Sequence, residues 1–322
     1  MTRAMREDAR AAATRRVKGS LLIVTLWLIA LLAVLAVAIG RFLSLEVRLA
    51  GYRAARQQAR ALARGGVYVA MERLARDAAA PEAGGASYDW LGDEWAALPS
   101  SDELTVEIRD DARGLDLNAA SKEQLARLTG QETIAQAIVD ARDAPDAAED
   151  QPGASPPYFA KNASFAAPEE LRDLPGMSSE LYALLAAQTS PYRTATEPVN
   201  LNTATPEVLR AVGLTEPTIQ LLLRFREGLD GPDAHAEDGV FEQAGVAVLE
   251  TLKNHQGVEL TGTADGNLLI SNLFGVTSTT FTIRAEGRVA QPPVTARVSA
   301  VVRREGCGDG VAAPCIVAWR EG

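Results

Sequence analysis

Histidine and cysteine are scarce in this chain, and their scarcity limits the chemistry that it can carry. There are two of each among 322 residues, and aromatic residues make up only 5%. A catalytic triad or a structural zinc site needs such residues at several positions. The composition therefore favours a non-enzymatic protein. A third alternative, an exported enzyme freed by signal peptidase, would need a nucleophile paired with one of the two histidines.

The net charge of −10 is divided unequally along the chain. The first 19 residues carry six Lys/Arg and two acidic residues, whereas the rest is strongly acidic. Between these parts, residues 20–39 contain no charged residue, Gly or Pro. At about 1.5 Å per residue, a helix of this length spans the hydrocarbon core of a bilayer. We expect one membrane helix, with the basic N-terminus in the cytoplasm and the acidic body on the far side.

A cleaved signal peptide is the alternative to a permanent anchor, because Ala36-Val37-Ala38 could serve as its cleavage site. The apolar pattern, however, continues at helical spacing beyond this point. The sequence thus predicts one helix from about residue 20 to 78, with a bend or soft point at Gly65-Gly66. No later segment is apolar enough to form a second span.

The junction between the basic stub and the apolar run resembles a type IV prepilin leader. Lys18, Gly19 and Ser20 stand where the leader peptidase of that family cuts, after the glycine. The fifth residue after the cut is Val24, whereas most type IV pilins and pseudopilins have Glu there. The loss of this carboxylate is typical of minor pseudopilin K, and it suits the filament tip, where no further subunit follows. Ser20 also departs from the usual Phe or Met, which leaves methylation of the new terminus open.

A repeated motif, L-N-x-A-[ST]-x-E-x-L, occurs at residues 117–125 and 201–209. Ser121 and Thr205 stand at N-cap positions, and Pro206 stands at a first helical position. A third helix start is predicted at residues 167–171. These units resemble helix-hairpin-helix elements, which occur in DNA-binding proteins and in the helical domain of pseudopilin K. Residues 115–258 hold 10 Lys/Arg against 22 Asp/Glu, so we interpret the repeats as scaffold rather than as a surface for a polyanion.

Two acidic, irregular stretches, 144–157 and 228–239, interrupt this helical region. The second offers four carboxylates that could hold Ca²⁺, a cation that takes six to eight oxygen ligands. A solvated acidic loop is the alternative, and resemblance to the family, some of whose members bind calcium, keeps the metal open. The four candidate ligands are Asp230, Asp233, Glu237 and Asp238.

Alternating strands are predicted at residues 104–108, 281–289 and 294–302, with a final edge strand at 315–319. Cys307 and Cys315 flank the turn before that last strand, and a disulfide between them is plausible in an oxidising compartment. Strands on both sides of a helical block indicate one sheet with an insertion. The implied fold class is α+β: a long N-terminal helix packed on an antiparallel sheet, as in pseudopilins, with a large inserted helical domain.

The resulting organisation has six parts. They are a leader at 1–19 that is removed, a transmembrane helix at 20–39, its amphipathic continuation at 40–78, a loop and first strand at 79–114, the acidic helical domain at 115–258, and C-terminal strands at 259–322.

The resemblance implies a minor pseudopilin of type II secretion, anchored in the bacterial inner membrane with its body in the periplasm. Its implied role is to cap the pseudopilus tip and help export folded proteins. Its implied partners are prepilin peptidase, minor pseudopilins I and J, the major pseudopilin and the inner-membrane secretion platform, with no nucleic acid. The alternative is a membrane-anchored DNA receptor of the competence type, built on the same hairpins.

Overall fold

The computed structural model describes residues 4–79, 87–98, 100–143, 161–194, 197–227, 239–304 and 314–322, with side chains from residue 21 onward. The chain forms two compact units, Met1–Gln58 with Val289–Val294, and Ala59–Arg288 with Thr295–Gly322. The elements in chain order are α1 (Ala4–Ala79), β1 (Leu104–Asp110), β2 (Leu115–Asp116), α2 (Lys122–Thr129), α3 (Glu132–Arg142), a 3-10 helix (Pro168–Asp173), α4 (Ser179–Gln188), β3 (Thr189–Ser190), β4 (Val199–Asn200), α5 (Pro206–Val212), α6 (Glu216–Arg226), α7 (Val246–Gln256), α8 (Ala264–Leu269), β5 (Phe274–Gly275), β6 (Thr280–Val289), β7 (Val294–Arg303) and β8 (Cys315–Glu321).

Four of these strands form the main sheet, in the order β1-β6-β7-β8. Strands β1 and β6 pair antiparallel, as do β7 and β8. The four predicted strands are therefore present within two residues of their expected bounds. This agreement follows from the strict alternation of apolar and polar residues, which is a strong local signal wherever one face of a sheet is buried.

Within the second unit, the last part of α1 packs on one face of this sheet. Alanine, valine and leucine side chains of the helix meet apolar side chains of β1, β6 and β7. The buried cluster comprises Ala63, Val67, Ala70, Leu74, Trp95, Val106, Ile108, Phe281, Ile283, Ala285, Val298, Ala300 and Val302. Trp95 belongs to the region predicted as a loop, yet it is 1% exposed and its ring meets that of Phe281 edge-on at 5.1 Å. This tryptophan is therefore part of the core.

The predicted bend or soft point at Gly65-Gly66 does not break α1, which continues through both residues. Gly66 is a point of close approach: a Cβ there would lie 2.8 Å from Val106 and 3.2 Å from Ala285. On the opposite side, a Cβ at Gly287 would collide with the backbone carbonyl of Ala59. The two glycines let the helix lie close to the sheet, which only their tertiary neighbours reveal.

The helices between β1 and β6 enclose a second core, made of buried side chains from Leu115 to Val276. Two short parallel strand pairs, β2 with β3 and β4 with β5, brace it. The helix expected at 167–171 is a 3-10 helix. The expectation that strands follow directly after residue 258 is wrong, because α8 and β5 lie there. The side chain of Thr263 caps α8 by accepting a hydrogen bond from Gly266 N, and β5 pairs with β4 rather than with the main sheet.

The two copies of the repeated motif adopt matching structures. The side chains of Ser121 and Thr205 cap α2 and α5, as predicted. Each copy continues into a second helix, α3 or α6, whose last arginine returns to the motif. Arg142 donates to the carbonyls of Leu117 and Ala120, and Arg226 donates to those of Leu201 and Ala204. The sequence separations, 25 and 22 residues, are the same in both copies, so the repeat extends beyond the nine residues that the sequence shows.

Candidate functional site

The processing residues lie in the first part of α1. Lys18, Gly19 and Ser20 have helical backbones, and their side chains are not described. Val24 lies one turn further, with 60% of its surface exposed. The first acidic residue of the chain after Ser20 is Glu46. The apolar part of α1 therefore holds no carboxylate that could pair with a charged amine in a bilayer.

The apolar side chains that follow form a long exposed surface. From Leu21 to Leu49, every large apolar side chain of α1 is at least 45% exposed. Among the described residues, α1 is the one helix that is long and apolar enough to cross a membrane. An apolar surface of this extent is stable in lipid or against other apolar helices, because all backbone groups of a helix are bonded internally.

The four carboxylates predicted as calcium ligands, Asp230, Asp233, Glu237 and Asp238, lie outside the described residues. The chain at both ends of their segment is described. Gly239 N donates to Phe225 O at 2.9 Å. Asn202 of the repeated motif accepts from Phe241 N at 2.9 Å and donates to Phe241 O at 3.0 Å. Both ends of the segment are thus held beside the second copy of the motif.

The first copy holds an equivalent segment in the same way. Asn118 accepts from Phe165 N at 2.7 Å and donates to Phe165 O at 3.1 Å. The intervening residues 144–160 lie outside the described part of the chain. The asparagine of each motif therefore binds the backbone of a phenylalanine that follows the acidic segment, Phe165 in the first copy and Phe241 in the second.

Cys315 opens β8 and is disulfide-bonded. The chain has one other cysteine, Cys307, which lies outside the described residues. The pairing of these two residues stays a prediction.

A cluster of three aspartates, which the sequence did not single out, lies at the end of α1. Carboxylate oxygens of Asp77, Asp89 and Asp93 come within 4.8 Å of one another. The guanidinium of Arg304 serves as their cation, at 2.6 Å from Asp89 and 3.2 Å from Asp77. Asp93 instead accepts hydrogen bonds from Trp90 N and from the indole of Trp95. Arg304 therefore balances part of the negative charge of the cluster, through its contacts with Asp77 and Asp89.

Burial dominates the electrostatics of this cluster. The pKa of Asp93 is raised to about 7, mainly by burial; the hydrogen bonds from Trp90 N and Trp95 lower it, and the charges of Asp77 and Asp89 raise it. Burial also raises the pKa of Asp89 from its ordinary value, although Arg304 favours the charged form. A carboxylate away from water is costly to ionise unless a cation faces it directly.

A second buried carboxylate joins the sheet to the helices. Asp110, the last residue of β1, accepts hydrogen bonds from Ala112 N at 2.7 Å, Ser278 Oγ at 2.8 Å, Asn200 Nδ2 at 3.2 Å and the Thr203 hydroxyl. Burial raises its pKa to about 6. The sequence marked Asp110 only as a strand end, and no local pattern shows that it meets residues some 90 positions away.

Residues 116–193, which include the first copy of the motif, match the family model of protein K of the type II secretion system. The fold is similar to a chain in the crystal structure of the GspK-GspI-GspJ complex from the type 2 secretion system of enterotoxigenic Escherichia coli. The TM-score is 0.59 at 18% identity, over 83% of this chain and 96% of that one. The chain is thus similar to protein K of the type II secretion system in residues 116–193, and similar in fold to a chain of that complex.

The long apolar helix and the antiparallel sheet thus agree with the fold expected from the sequence. A search of curated proteins gave no significant match. Protein K is a structural component of its secretion system, and the single apolar helix fits an inner-membrane anchor. Nothing in the comparisons supports the DNA-receptor alternative.

Proposed function

We propose that this chain is the tip subunit of a type II secretion pseudopilus and helps export folded proteins across the outer membrane. The observation that carries the proposal is Val24, an exposed apolar side chain where pseudopilins usually carry a glutamate. In a filament of parallel helices, that glutamate is expected to pair with the terminal amine of a neighbouring subunit. A subunit without it forms no such pair, and it suits the end of the filament.

In the proposed assembly pathway, the chain is first inserted into the inner membrane. The basic stub keeps the N-terminus in the cytoplasm, where prepilin peptidase cuts after Gly19 and leaves the apolar helix in place. The acidic body then lies in the periplasm. Contacts between the exposed apolar side chains of α1 and like helices join the subunit to its filament, because packing against other apolar helices suits this surface in lipid.

Minor pseudopilins I and J are the proposed immediate partners, since the similar structure is a complex of GspK with GspI and GspJ. The major pseudopilin and the inner-membrane platform follow as further partners in the same filament. The helices between β1 and β6 are proposed to block further addition. Asp110 supports this role, because its hydrogen bonds couple the second motif to the sheet and would keep the helical block in a fixed position.

The test replaces Val24 with glutamate in a secretion-competent cell. Val24 is exposed, so Val24→Glu should leave the periplasmic body folded. The variant should lose its preference for the tip, which is measured by immunogold labelling of pseudopili and by secretion of an exoprotein. The matched control is Val34→Glu, ten residues on in the same apolar segment and 68% exposed, which adds the same charge at another depth.

Tip labelling and secretion that are lost in Val24→Glu, and less affected in Val34→Glu, would support a specific role for this position. Wild-type tip labelling and secretion in Val24→Glu would refute the argument from the missing carboxylate.

We also propose that Asp230, Asp233, Glu237 and Asp238 bind Ca²⁺. Their residue types suit this hard cation. The described hydrogen bonds to Gly239 and Phe241 support the proposal, because fixed ends reduce the conformational entropy that a loop loses when it encloses an ion.

A further inference from the structure

A small cavity lies between the main sheet and the helical block, on the sheet face opposite to α1. Its volume is about 100 Å³, and its walls come from the strands, from α4 and from the 3-10 helix. Three arginines line it, together with two tyrosines and one glutamate: Arg109, Arg284, Arg320, Tyr182, Tyr192 and Glu169. Such a basic lining stands out in a chain whose net charge is −10.

Strand register brings the arginines to the same face of the sheet. Arg109 of β1 stands opposite Thr282 of β6, two residues before Arg284, so Arg109 and Arg284 are diagonal neighbours. Arg320 of β8 stands opposite Ser299 of β7, which also lines the cavity. Because side chains alternate along each strand, all three guanidinium groups lie on the side away from α1.

The three arginines differ in how far their charge is neutralised. Arg320 is paired with Glu169 and also donates to the hydroxyl of Tyr192 at 3.0 Å. Arg109 donates to the carbonyl of Ala186 at 3.0 Å and to Asp111 at 3.3 Å, but its Nε is buried and makes no hydrogen bond.

Arg284 is exposed, and no residue in the described part of the chain forms a hydrogen bond or ion pair with it. Glu107 of β1 stands directly opposite Arg284 in the strand register, but no ion pair joins them, and the guanidinium of Arg284 lines the cavity. A fourth cation, Arg172, lies 4.1 Å from the ring centre of Tyr182 and adds to the positive potential there.

The lining thus holds three guanidinium groups against one carboxylate, with Asp111 behind Arg109. Guanidinium donors aimed into a confined space favour an anion, and the planar fork of arginine matches two carboxylate oxygens. A cavity of about 100 Å³ has room for a group of the size of acetate, since one water occupies about 30 Å³ in the liquid.

We propose that this cavity binds a carboxylate group, held by Arg284 together with Arg109 and the tyrosine hydroxyl groups. Either a free organic acid or a Glu or Asp side chain of another protein offers this chemistry. None of the residues that line the cavity carries the tip or calcium proposals, so this inference does not depend on the proposed tip function.

The test uses full-length protein in detergent and trifluoroacetate as the probe, whose ¹⁹F resonance broadens when it binds. Wild-type protein should broaden the line, and acetate should reverse the broadening while chloride at equal ionic strength should not. Arg284→Gln should weaken binding by about tenfold or more, because a charge-assisted hydrogen bond contributes at least that factor. Arg284 forms no hydrogen bond or ion pair with a described residue, so the substitution should leave the fold intact.

The matched control is Arg288→Gln, an exposed arginine on the same strand that does not line the cavity. It should bind the probe like the wild type. Arg284→Lys, which keeps the charge but not the fork, should show intermediate binding and serves as the second variant if Arg284→Gln does not fold.

Two further titrations separate the sources of the carboxylate. Displacement of the probe by a short glutamate-containing peptide at lower concentration than acetate indicates a protein ligand. Equal or weaker displacement by the peptide indicates a free organic acid. An unbroadened line with wild-type protein, or equal broadening with Arg284→Gln, would overturn the proposal.

Discussion

Asn202 offers the sharpest test of how the repeated motif stabilises this protein. Its side chain is 3% exposed and forms hydrogen bonds with both backbone groups of Phe241, 39 residues further along the chain. Asn202→Ala removes both partners at once. The Phe241 N–H and C=O then remain buried without the hydrogen bonds that the asparagine supplied, and the space left by the side chain is small.

The expected loss of stability follows from these two groups. A buried polar backbone group deprived of its partner costs about 1–3 kcal/mol, so the loss of both partners in Asn202→Ala should reduce the free energy of unfolding by about 2–6 kcal/mol. This is a large share of the 5–15 kcal/mol that is typical of folded domains. The equivalent Asn118→Ala should cost less, because the Asn118 contacts are only partly buried and water can replace them.

The assay is urea unfolding of the purified full-length protein in detergent, followed by tryptophan fluorescence and circular dichroism. Asn254→Ala on α7 is the control, because Asn254 is exposed and alanine is the better helix former. Its unfolding midpoint should equal or slightly exceed that of the wild type.

The reasoning would be refuted by two outcomes. In the first, Asn202→Ala unfolds within about 0.5 kcal/mol of Asn254→Ala, which is the range of neutral surface changes. In the second, Asn118→Ala is clearly the more destabilising of the two motif substitutions. Either result would mean that the buried asparagine does not hold the end of the acidic segment.

Three further predictions concern processing, calcium and pH. Gly19→Val should leave an uncut precursor on an immunoblot, and normal processing of this variant would contradict the leader assignment. Chelation of Ca²⁺ should lower the melting temperature of the wild type but not of Asp233→Asn; an unchanged wild-type temperature would exclude a stabilising calcium. The folded pKa of Asp93 is raised from 3.8 to about 7, so its stabilising contribution is present at low pH and lost as pH rises through that window. Asp93→Asn should therefore flatten the decline of unfolding free energy between these pH values, and a profile parallel to that of the wild type would count against the buried carboxylate.

Several elements of this fold could be predicted because their signals are local. The length of the apolar run indicated α1, alternation indicated the strands of the main sheet, and Ser121 and Thr205 marked the starts of α2 and α5. The role of Gly65-Gly66, predicted as a bend or soft point, could not be settled from the sequence for the converse reason. A glycine pair in a helix has the same local appearance whether it bends the helix or packs against a strand, and only the presence of Val106 distinguishes the two.

The candidate sites were predicted less completely. The missing carboxylate at Val24 and the glycine at position 19 are visible in the sequence, because a family pattern defines them by position. The cluster around Arg304 was not, since this arginine reaches Asp89 across 215 residues. The acidic residues there are ordinary in composition, and their burial alone makes them distinctive.

Residue spacing over a few turns or alternations was enough to indicate which segments are helix, strand and apolar anchor. The packed fold was needed to show how Asn118 and Asn202 bind Phe165 and Phe241, how Asp110 joins the helices to the sheet, and how three arginines come to line one cavity. These features depend on hydrogen bonds and charges between distant residues. Such contacts have no periodicity along the chain and exist only once the strands and helices have packed.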